Sequence, residues 1–363
     1  MKVINIVGAR PQFVKAAMVS RALRSRPGTR EILLHTGQHF DRAMSGDLLD
    51  ELGFPPMDYN LGINQLSHGA MTGRMLEEIE KVLIAEKPDY VIVYGDTNST
   101  VAGALAARKM HIRVAHIEAG MRSFNMKMPE EINRVMTDRI SDLLFCSSDT
   151  SAGHLRDEGF GHFPCQVITS GDVMYDAYLH FLPLAAKATT VLDRLPFREF
   201  ALCTLHRESN VDHRDQLAAV LSALDRIHSE LPVVLPLHPR TAKRMEEWGI
   251  RTKVHCIPPV TYLDMLALLQ RCTLVLTDSG GLQKEAYFAE KPCLTLRYET
   301  EWTELVEKGY NKLVGTDPDW ILNNFRWMME QPVSFEPGIY GNGHAAEVIA
   351  GSILRPAATP ATA

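Results

Sequence analysis

Asp278, Ser279, Gly280, Gly281 and Glu285 stand close together in one short stretch, and their types suit a single task. Ahead of them Cys272–Leu276 is short, apolar and rich in β-formers, and reads as a buried strand. Behind them Leu282–Glu290 carries helix formers and is ended by Lys291-Pro292. Glycines at a strand-to-helix turn let a ligand approach the backbone, and the first helical N–H groups then face an anion with a favourable dipole. An ordinary capping turn, with Asp or Ser as N-cap and Gly for the bend, is the plainer alternative. Glu285 tips the balance, because such a helix can bring its carboxylate to sugar hydroxyls. A diphosphate on the helix end and a ribose on that carboxylate make a nucleotide-sugar arrangement.

Other chemistry-bearing residues also fall just after predicted strands. Arg10 and Lys15 flank the first strand–turn–helix start, where both cations can reach one anion such as a phosphate, although surface charge is the simpler reading of each alone. Asp96 and Glu118 each end an apolar strand, and Glu130 opens a helix after Pro129. A lone acid in such places is often only an N-cap or a dipole-complementing residue. Three near one cleft repel, raise at least one pKa and make a general acid or base at neutral pH. His206-Arg207 and His238-Pro239-Arg240 follow two later strands and offer donors from a second domain. His116 and Glu118 share a strand face, which raises a metal pair, but no third ligand at recognisable spacing accompanies them, and no metal is expected. There is no Walker-type phosphate loop, no G-x-G-x-x-G after the first strand and no G-x-S-x-G elbow, so neither a nicotinamide cofactor nor a serine hydrolase is supported.

These residues have to be positioned by an alternation of strands and helices. Strands are expected at Val3–Val7, Glu31–Thr36, Tyr90–Tyr94, Arg113–Ile117, Leu143–Ser147 and Gln166–Thr169, with helices between, including one from about Asp41 to Leu52. The weakly patterned stretch 188–196 reads as a domain boundary. After it the alternation restarts at Phe200–Leu205, Pro232–Leu237, Val254–Ile257, Cys272–Leu276 and Cys293–Leu296. Alternation of this kind implies α/β domains with parallel strands, which bind ligands at the strands' carboxyl ends. The expected domains are 1–187 and 197–354, both Rossmann-like, with the last helix free to pack back on the first. Two such domains facing across a cleft form the glycosyltransferase-B architecture.

The 363 residues suit two domains, and 45% hydrophobic with 23% charged residues is ordinary for a globular protein. A net charge of -6 argues against a nucleic-acid partner. Six scattered cysteines without a C-x-x-C pair read as buried hydrophobes in a reducing compartment. With no run of membrane-spanning length and a strand at the very start, a soluble, cytoplasmic protein with no membrane partner is expected.

Seven motifs stand in order along nearly the whole chain: Gly8-Ala9-Arg10-Pro11, Gly37-Gln38-His39, Gly95-Asp96-Thr97, His116-Ile117-Glu118-Ala119-Gly120-Met121-Arg122, Pro129-Glu130-Glu131-Ile132-Asn133-Arg134, His206-Arg207-Glu208-Ser209-Asn210 and Thr277-Asp278-Ser279-Gly280-Gly281. Together they resemble the non-hydrolysing UDP-N-acetylglucosamine 2-epimerase family. The resemblance implies a homodimer that inverts C2 of a UDP-sugar with no cofactor. It implies that Arg10, His206, Ser279, Gly281 and Glu285 match UDP-binding positions, with Gly280 between them. Lys15, Asp96, Glu118, Glu130 and His206 match positions tied to catalysis. The run Arg297-Tyr298-Glu299-Thr300-Glu301-Trp302 departs from the Thr-Thr-Glu-Arg-Pro-Glu typical of the UDP-N-acetylglucosamine branch. It resembles the branch acting on UDP-2,3-diacetamido-2,3-dideoxy-D-glucuronate, an O-antigen and lipopolysaccharide precursor. That substrate's C6 carboxylate calls for a cationic or N–H-rich partner. Arg297, Arg74, Arg122 and Arg134 are candidates, and Asn133 is a further sugar-facing one. Gln38-His39-Phe40-Asp41 departs from the Gln-His-x-Gln run of the effector site in the UDP-N-acetylglucosamine branch. A glycosyltransferase or a non-catalytic nucleotide-sugar sensor on the same architecture are the readings of other classes.

Overall fold

The computed structural model describes residues 1–38, 48–49 and 51–355. Most of the helix expected from Asp41 to Leu52 and most of the Gln38–Asp41 run lie outside these residues. The chain divides into two compact units, Met1–Ala177 with Gly338–Ala363, and Tyr178–Pro337.

In the first unit, strands β1 (Lys2–Val7), β2 (Arg30–His35), β3 (Tyr59–Asn60), β4 (Tyr90–Tyr94), β5 (Arg113–Ala119), β6 (Leu143–Cys146) and β7 (Gln166–Thr169) form one parallel sheet. Its order is β3-β2-β1-β4-β5-β6-β7. The central strands are buried on both faces, which is why they read as continuous apolar runs. Ile4 and Ile6 of β1 and Val91 and Val93 of β4 pack with Met75 and Ile79 of the helix His68–Glu86. Each such buried aliphatic side chain is worth roughly 1.5–3 kcal/mol. The strand order reverses between β1 and β4, and at such a switch point the loops after the two strands part to leave a crevice. Gly8-Ala9-Arg10 follows β1 there, and Gly95-Asp96-Thr97 follows β4.

One side chain joins the two loops. Gln12 accepts from the amides of Gly8 at 2.7 Å and Ala9 at 3.0 Å, and donates to the Tyr94 carbonyl at 2.7 Å. Gly8 has to be glycine, because a Cβ there would lie 2.1 Å from Ser99 Oγ and 2.3 Å from Thr36 Oγ1.

The second unit repeats the plan. Strands β8 (Ala201–Thr204), β9 (Val233–Pro236), β10 (His255–Ile257), β11 (Leu274–Thr277), β12 (Cys293–Thr295) and β13 (Asn311–Leu313) are parallel, in the order β10-β9-β8-β11-β12-β13. Here the reversal falls between β8 and β11, whose ends are tied by a 2.6 Å hydrogen bond between the hydroxyls of Thr204 and Thr277. Val220, Leu224 and Ile227 of the helix Arg214–His228 pack with Ile321 and Phe325 of the helix Pro318–Glu330. Both units are Rossmann-like α/β folds, the class expected.

The division between the units falls inside the helix Val173–Ala188, and the stretch 188–196 lies within the second unit. The last helix, Ala345–Ile353, belongs to the first unit, where it packs on the helix Arg10–Arg24. Asp176 accepts from its first amides, Ala345 at 3.1 Å and Ala346 at 2.7 Å. Burial raises the Asp176 carboxyl to about 6, against the pull of those two amides. A carboxyl raised on folding contributes stability that is complete below its ordinary value of 3.8 and is lost as pH rises through about 6. Asp176→Asn does not titrate, so its stability relative to the parent is expected to improve across that window by up to about 3 kcal/mol. Denaturation of both proteins from about pH 4 to pH 7 checks this, and a stability difference that does not change with pH counts against it.

Candidate active site

Strand β5 ends irregularly, and the irregularity aims a carboxylate. Its register against β6 shifts between Ile117 and Ala119, and Glu118, between them, has φ +70°. A non-glycine residue held in the left-handed region at a bulge is strained, and bulges re-aim side chains beside functional sites. Glu118 is thereby turned onto Lys15 of the helix Arg10–Arg24, with which it forms an ion pair whose side chains are 7% and 9% exposed. The end of β4 makes room for them, since a Cβ on Gly95 would lie 3.1 Å from Glu118 Oε2 and 3.8 Å from Lys15 Nζ.

Asp96 is the next residue. Its carboxylate takes a 2.5 Å bond from Arg134, and its carbonyl accepts from Asn133 at 2.9 Å. Burial pushes the Asp96 carboxyl above the usual range. Arg134 opposes that rise, Glu118 adds to it, Lys15 opposes it and Glu130 adds to it. Glu130 is exposed near the start of the helix Pro129–Ile140, close enough for its charge to be felt at Asp96. The structure thus gathers Lys15, Asp96, Glu118 and Glu130, with Asn133 and Arg134, around the ends of β4 and β5. Arg10 opens the helix that also carries Lys15.

His116 points elsewhere. Its Nδ1 is 2.7 Å from Asp138 and its Nε2 is 2.7 Å from the Gly95 carbonyl, so both ring nitrogens are occupied, and Glu118 is on Lys15. Among the described residues no group of three or more His, Cys, Asp or Glu could hold a metal ion. Arg122 is equally enclosed. It bonds Asp138 at 2.7 Å and grips Glu158 with two bonds of 2.7 and 2.8 Å. Burial alone would raise Asp138, but the hydrogen bonds and charges of His116 and Arg122 outweigh it and hold the carboxyl below the ordinary range.

In the second unit Asp278 faces inward. Only 1% exposed, it accepts from the amides of His206 at 3.0 Å and Arg207 at 2.9 Å, and from Asn210 Nδ2 at 3.3 Å. Its role is to fix the loop after β8. His206 Nδ1 lies 3.3 Å from the same carboxylate, while the His206 ring remains 40% exposed and 5.4 Å from that of His238. Ser279 caps the helix Gly280–Phe288 and Glu285 lies on that helix, 8% exposed. Gly281 is exposed, and a Cβ there would meet nothing within 4 Å. Packing does not demand glycine at that position, whereas close approach of a ligand to the first-turn amides would.

Two of the arginines considered for this unit are already engaged. Arg240 bonds Asp212 at 2.7 Å and Glu208 at 2.8 Å. Arg297 is buried and holds Glu301 with two bonds of 2.9 and 3.0 Å. Trp302, from the same run, donates its Nε1–H to the Gly280 carbonyl at 2.9 Å and carries Lys284 Nζ 4.0 Å above its ring. Exposed Arg74 lies on the helix His68–Glu86, 3.3 Å from Glu77.

The sequence reading missed Gln12 and Glu131. Gln12 had a local sign, a Gln three residues after the helix N-cap. Glu131 had another, its i,i+3 spacing to Arg134 on one helix.

The profile of a family described as UDP-N-acetylglucosamine 2-epimerase matches residues 21–354. A UDP-2,3-diacetamido-2,3-dideoxy-D-glucuronate 2-epimerase of Pseudomonas aeruginosa is 50% identical over 351 residues, 96% of this chain and 98% of its own. A UDP-N-acetylglucosamine 2-epimerase of Methanocaldococcus jannaschii is 40% identical over 363 aligned positions, 96% of this chain and 98% of its own. A crystal structure of Methanocaldococcus jannaschii UDP-GlcNAc 2-epimerase in complex with UDP-GlcNAc and UDP superposes with a TM-score of 0.91 at 39% identity, covering 97% of this chain and 99% of that one.

Proposed function

The chain belongs to the UDP-N-acetylglucosamine 2-epimerase family and is a non-hydrolysing UDP-sugar 2-epimerase, an isomerase, and from that premise we propose that it converts UDP-2,3-diacetamido-2,3-dideoxy-α-D-glucuronate to its manno epimer. The mechanism rests on one observation above others, the raised carboxyl of Asp96 set beside the Glu118–Lys15 ion pair at the ends of β4 and β5. Paired carboxylates in unlike environments divide acid and base roles between them.

The C2 hydrogen is not acidic enough for simple deprotonation, and no oxidant is called for. Glu118 takes H2 as a proton while the C1–O bond breaks and its electron pair leaves with UDP. The product is a 1,2-unsaturated glycal with no charge at C1 or C2. Asp96 then delivers a proton to the opposite face of C2 as the UDP oxygen returns to C1, and Glu130 contributes to the carboxylate field. Arg10, Lys15, His206 and the Ser279–Gly281 helix end stabilise the charge that develops on the diphosphate, and Glu285 takes the ribose. No metal and no nicotinamide enters this scheme.

The substrate reading is supported by the 50% identity to the diacetamido-glucuronate epimerase and by the Arg297–Trp302 run. Arg122 and Arg297 are committed to buried carboxylates, so neither is proposed as partner of the C6 carboxylate. Half-buried Asn133, beside Asp96, is the sugar-facing residue retained from the candidates. A homodimer working in the cytoplasm on a cell-surface polysaccharide precursor completes the proposal, consistent with six free cysteines. No helix among the described residues is long and apolar enough to cross a membrane.

Both UDP-sugars, at equal concentration in D2O without acceptor, test the whole reading. Expected are faster turnover of the diacetamido-glucuronate, deuterium at C2 of the product, and traces of glycal and free UDP. Faster turnover of UDP-N-acetylglucosamine would replace the substrate, and products without solvent deuterium would sink the mechanism. UDP release only on adding an acceptor would point to a glycosyltransferase, and binding without turnover to a sensor.

A further inference from the structure

Glu131 is the second acid of the Pro129-Glu130-Glu131 run and the only one of the two that is buried, at 1% exposure. It has no part in the proton transfers above, yet its carboxylate receives four hydrogen bonds. Oε2 accepts from the Ser123 amide and the Ser123 hydroxyl, both at 2.9 Å, and from Arg134 Nη1 at 2.8 Å. Oε1 accepts from the Phe124 amide at 3.0 Å. Phe124 is a non-glycine residue at φ +56°, so the turn it occupies is strained and needs an anchor. Arg134 is itself 2% exposed, and its other terminal nitrogen, Nη2, makes the 2.5 Å bond to Asp96. One guanidinium therefore bridges two carboxylates, Glu131 behind it and Asp96 in front.

We propose that Glu131 and Arg134 form a positioning pair for the reaction, in which Glu131 fixes Arg134 from behind and Arg134 fixes the carboxylate of Asp96. The proposal rests on the reading of Asp96 as a proton donor and acceptor at C2. It assigns Arg134 to Asp96 and not to the sugar. The planar fork of an arginine suits it to hold two carboxylates at once, which the point charge of a lysine cannot do in one plane.

The charged groups facing Asp96 are Arg134 and Glu130 from the helix Pro129–Ile140, Glu118 from β5 and Lys15 from the helix Arg10–Arg24. Glu131 competes with Asp96 for Arg134. Removing the Glu131 charge ends that competition for the guanidinium and removes a nearby negative charge, and both effects favour ionised Asp96. Removing the Arg134 charge does the reverse. The two substitutions should thus move one titration in opposite directions, a signature that simple loss of packing does not produce.

The experiment is the pH dependence of kcat for the purified enzyme and its UDP-sugar. Glu131→Gln should lower kcat roughly tenfold or more, leave KM within about threefold, and move the limb belonging to Asp96 about one pH unit toward acid. Arg134→Gln should move the same limb about one unit toward alkali. If Glu131→Gln does not fold, the alkaline shift in Arg134→Gln, absent from Arg134→Lys, carries the test. Limbs that stay in place in both charge-removing variants, or a loss confined to KM, overturn the positioning pair. Asp96→Asn separates the two layers of the argument. An active Asp96→Asn enzyme defeats the catalytic reading itself, whereas an inactive one with unmoved limbs in the other variants defeats only the pair.

Discussion

Glu118→Gln lowers kcat by roughly 10²–10⁴-fold, the usual contribution of a positioned acid or base, while UDP binds within about threefold of its parent affinity. Gln keeps the size of Glu but cannot accept a proton from C2, and it leaves the buried Lys15 without its countercharge. Some thermal stability is therefore lost as well, but the loss of rate far exceeds what partial unfolding explains. Single-turnover measurement of proton exchange at C2, beside calorimetry with UDP, separates the two effects. An enzyme that keeps more than about a tenth of the parent rate would remove Glu118 from the proton transfer.

Arg122→Leu is expected to damage the fold and not the affinity for sugar. The Arg122 side chain is 1% exposed and balances Asp138, which is fully buried, as well as gripping Glu158. Removing one partner of a buried ion pair leaves an uncompensated charge and costs about 3–5 kcal/mol. Asp138 then keeps His116 and the Gly120 amide but loses the guanidinium 2.7 Å away. Thermal melting and amide exchange across residues 113–146 report the loss, and adding Asp138→Asn should restore part of it, since neighbours in one network are not additive. A variant that melts within about 1 kcal/mol of the parent but has a much raised KM would show that Arg122 meets the sugar after all.

The difference between these two residues could not be read from the sequence, where both appear in one short motif. What could be read was whatever depends on local pattern. Tyr90–Tyr94 and Gln166–Thr169 occur as expected, because uninterrupted apolar or β-branched runs bounded by turn residues admit few other readings. β3 and β13 were missed: Tyr59–Asn60 and Asn311–Leu313 are too short and too polar to show a period. The placing of acids at strand ends was also legible, since an apolar strand followed by glycine and a carboxylate is a local signal. Partners were not. His116 and Glu118 read as neighbours on one strand face, but the bulge at Glu118 breaks the alternation on which that inference relies. His116 meets Asp138 and Glu118 meets Lys15, 22 and 103 residues away along the chain. Asp278 stood among candidate ligand-facing residues by type, yet the neighbouring β8 loop takes its hydrogen bonds. Pairings of this kind are set by which strands lie side by side, and no spacing within one segment records that.

The first unit is assembled from two separate parts of the chain, with about 160 residues of the second unit between them. A ribosome adding roughly 5–20 residues per second needs on the order of 10–30 s to make that intervening length. During this interval the strands β1–β7 are already synthesised, but Asp176 has no backbone amides to meet and the helix Arg10–Arg24 has a bare face where Ala345–Ile353 will pack. The second unit, continuous in sequence, is free to fold while the first waits. Nascent chains therefore pass through a stage in which the half that carries Lys15, Asp96 and Glu118 is the less finished of the two.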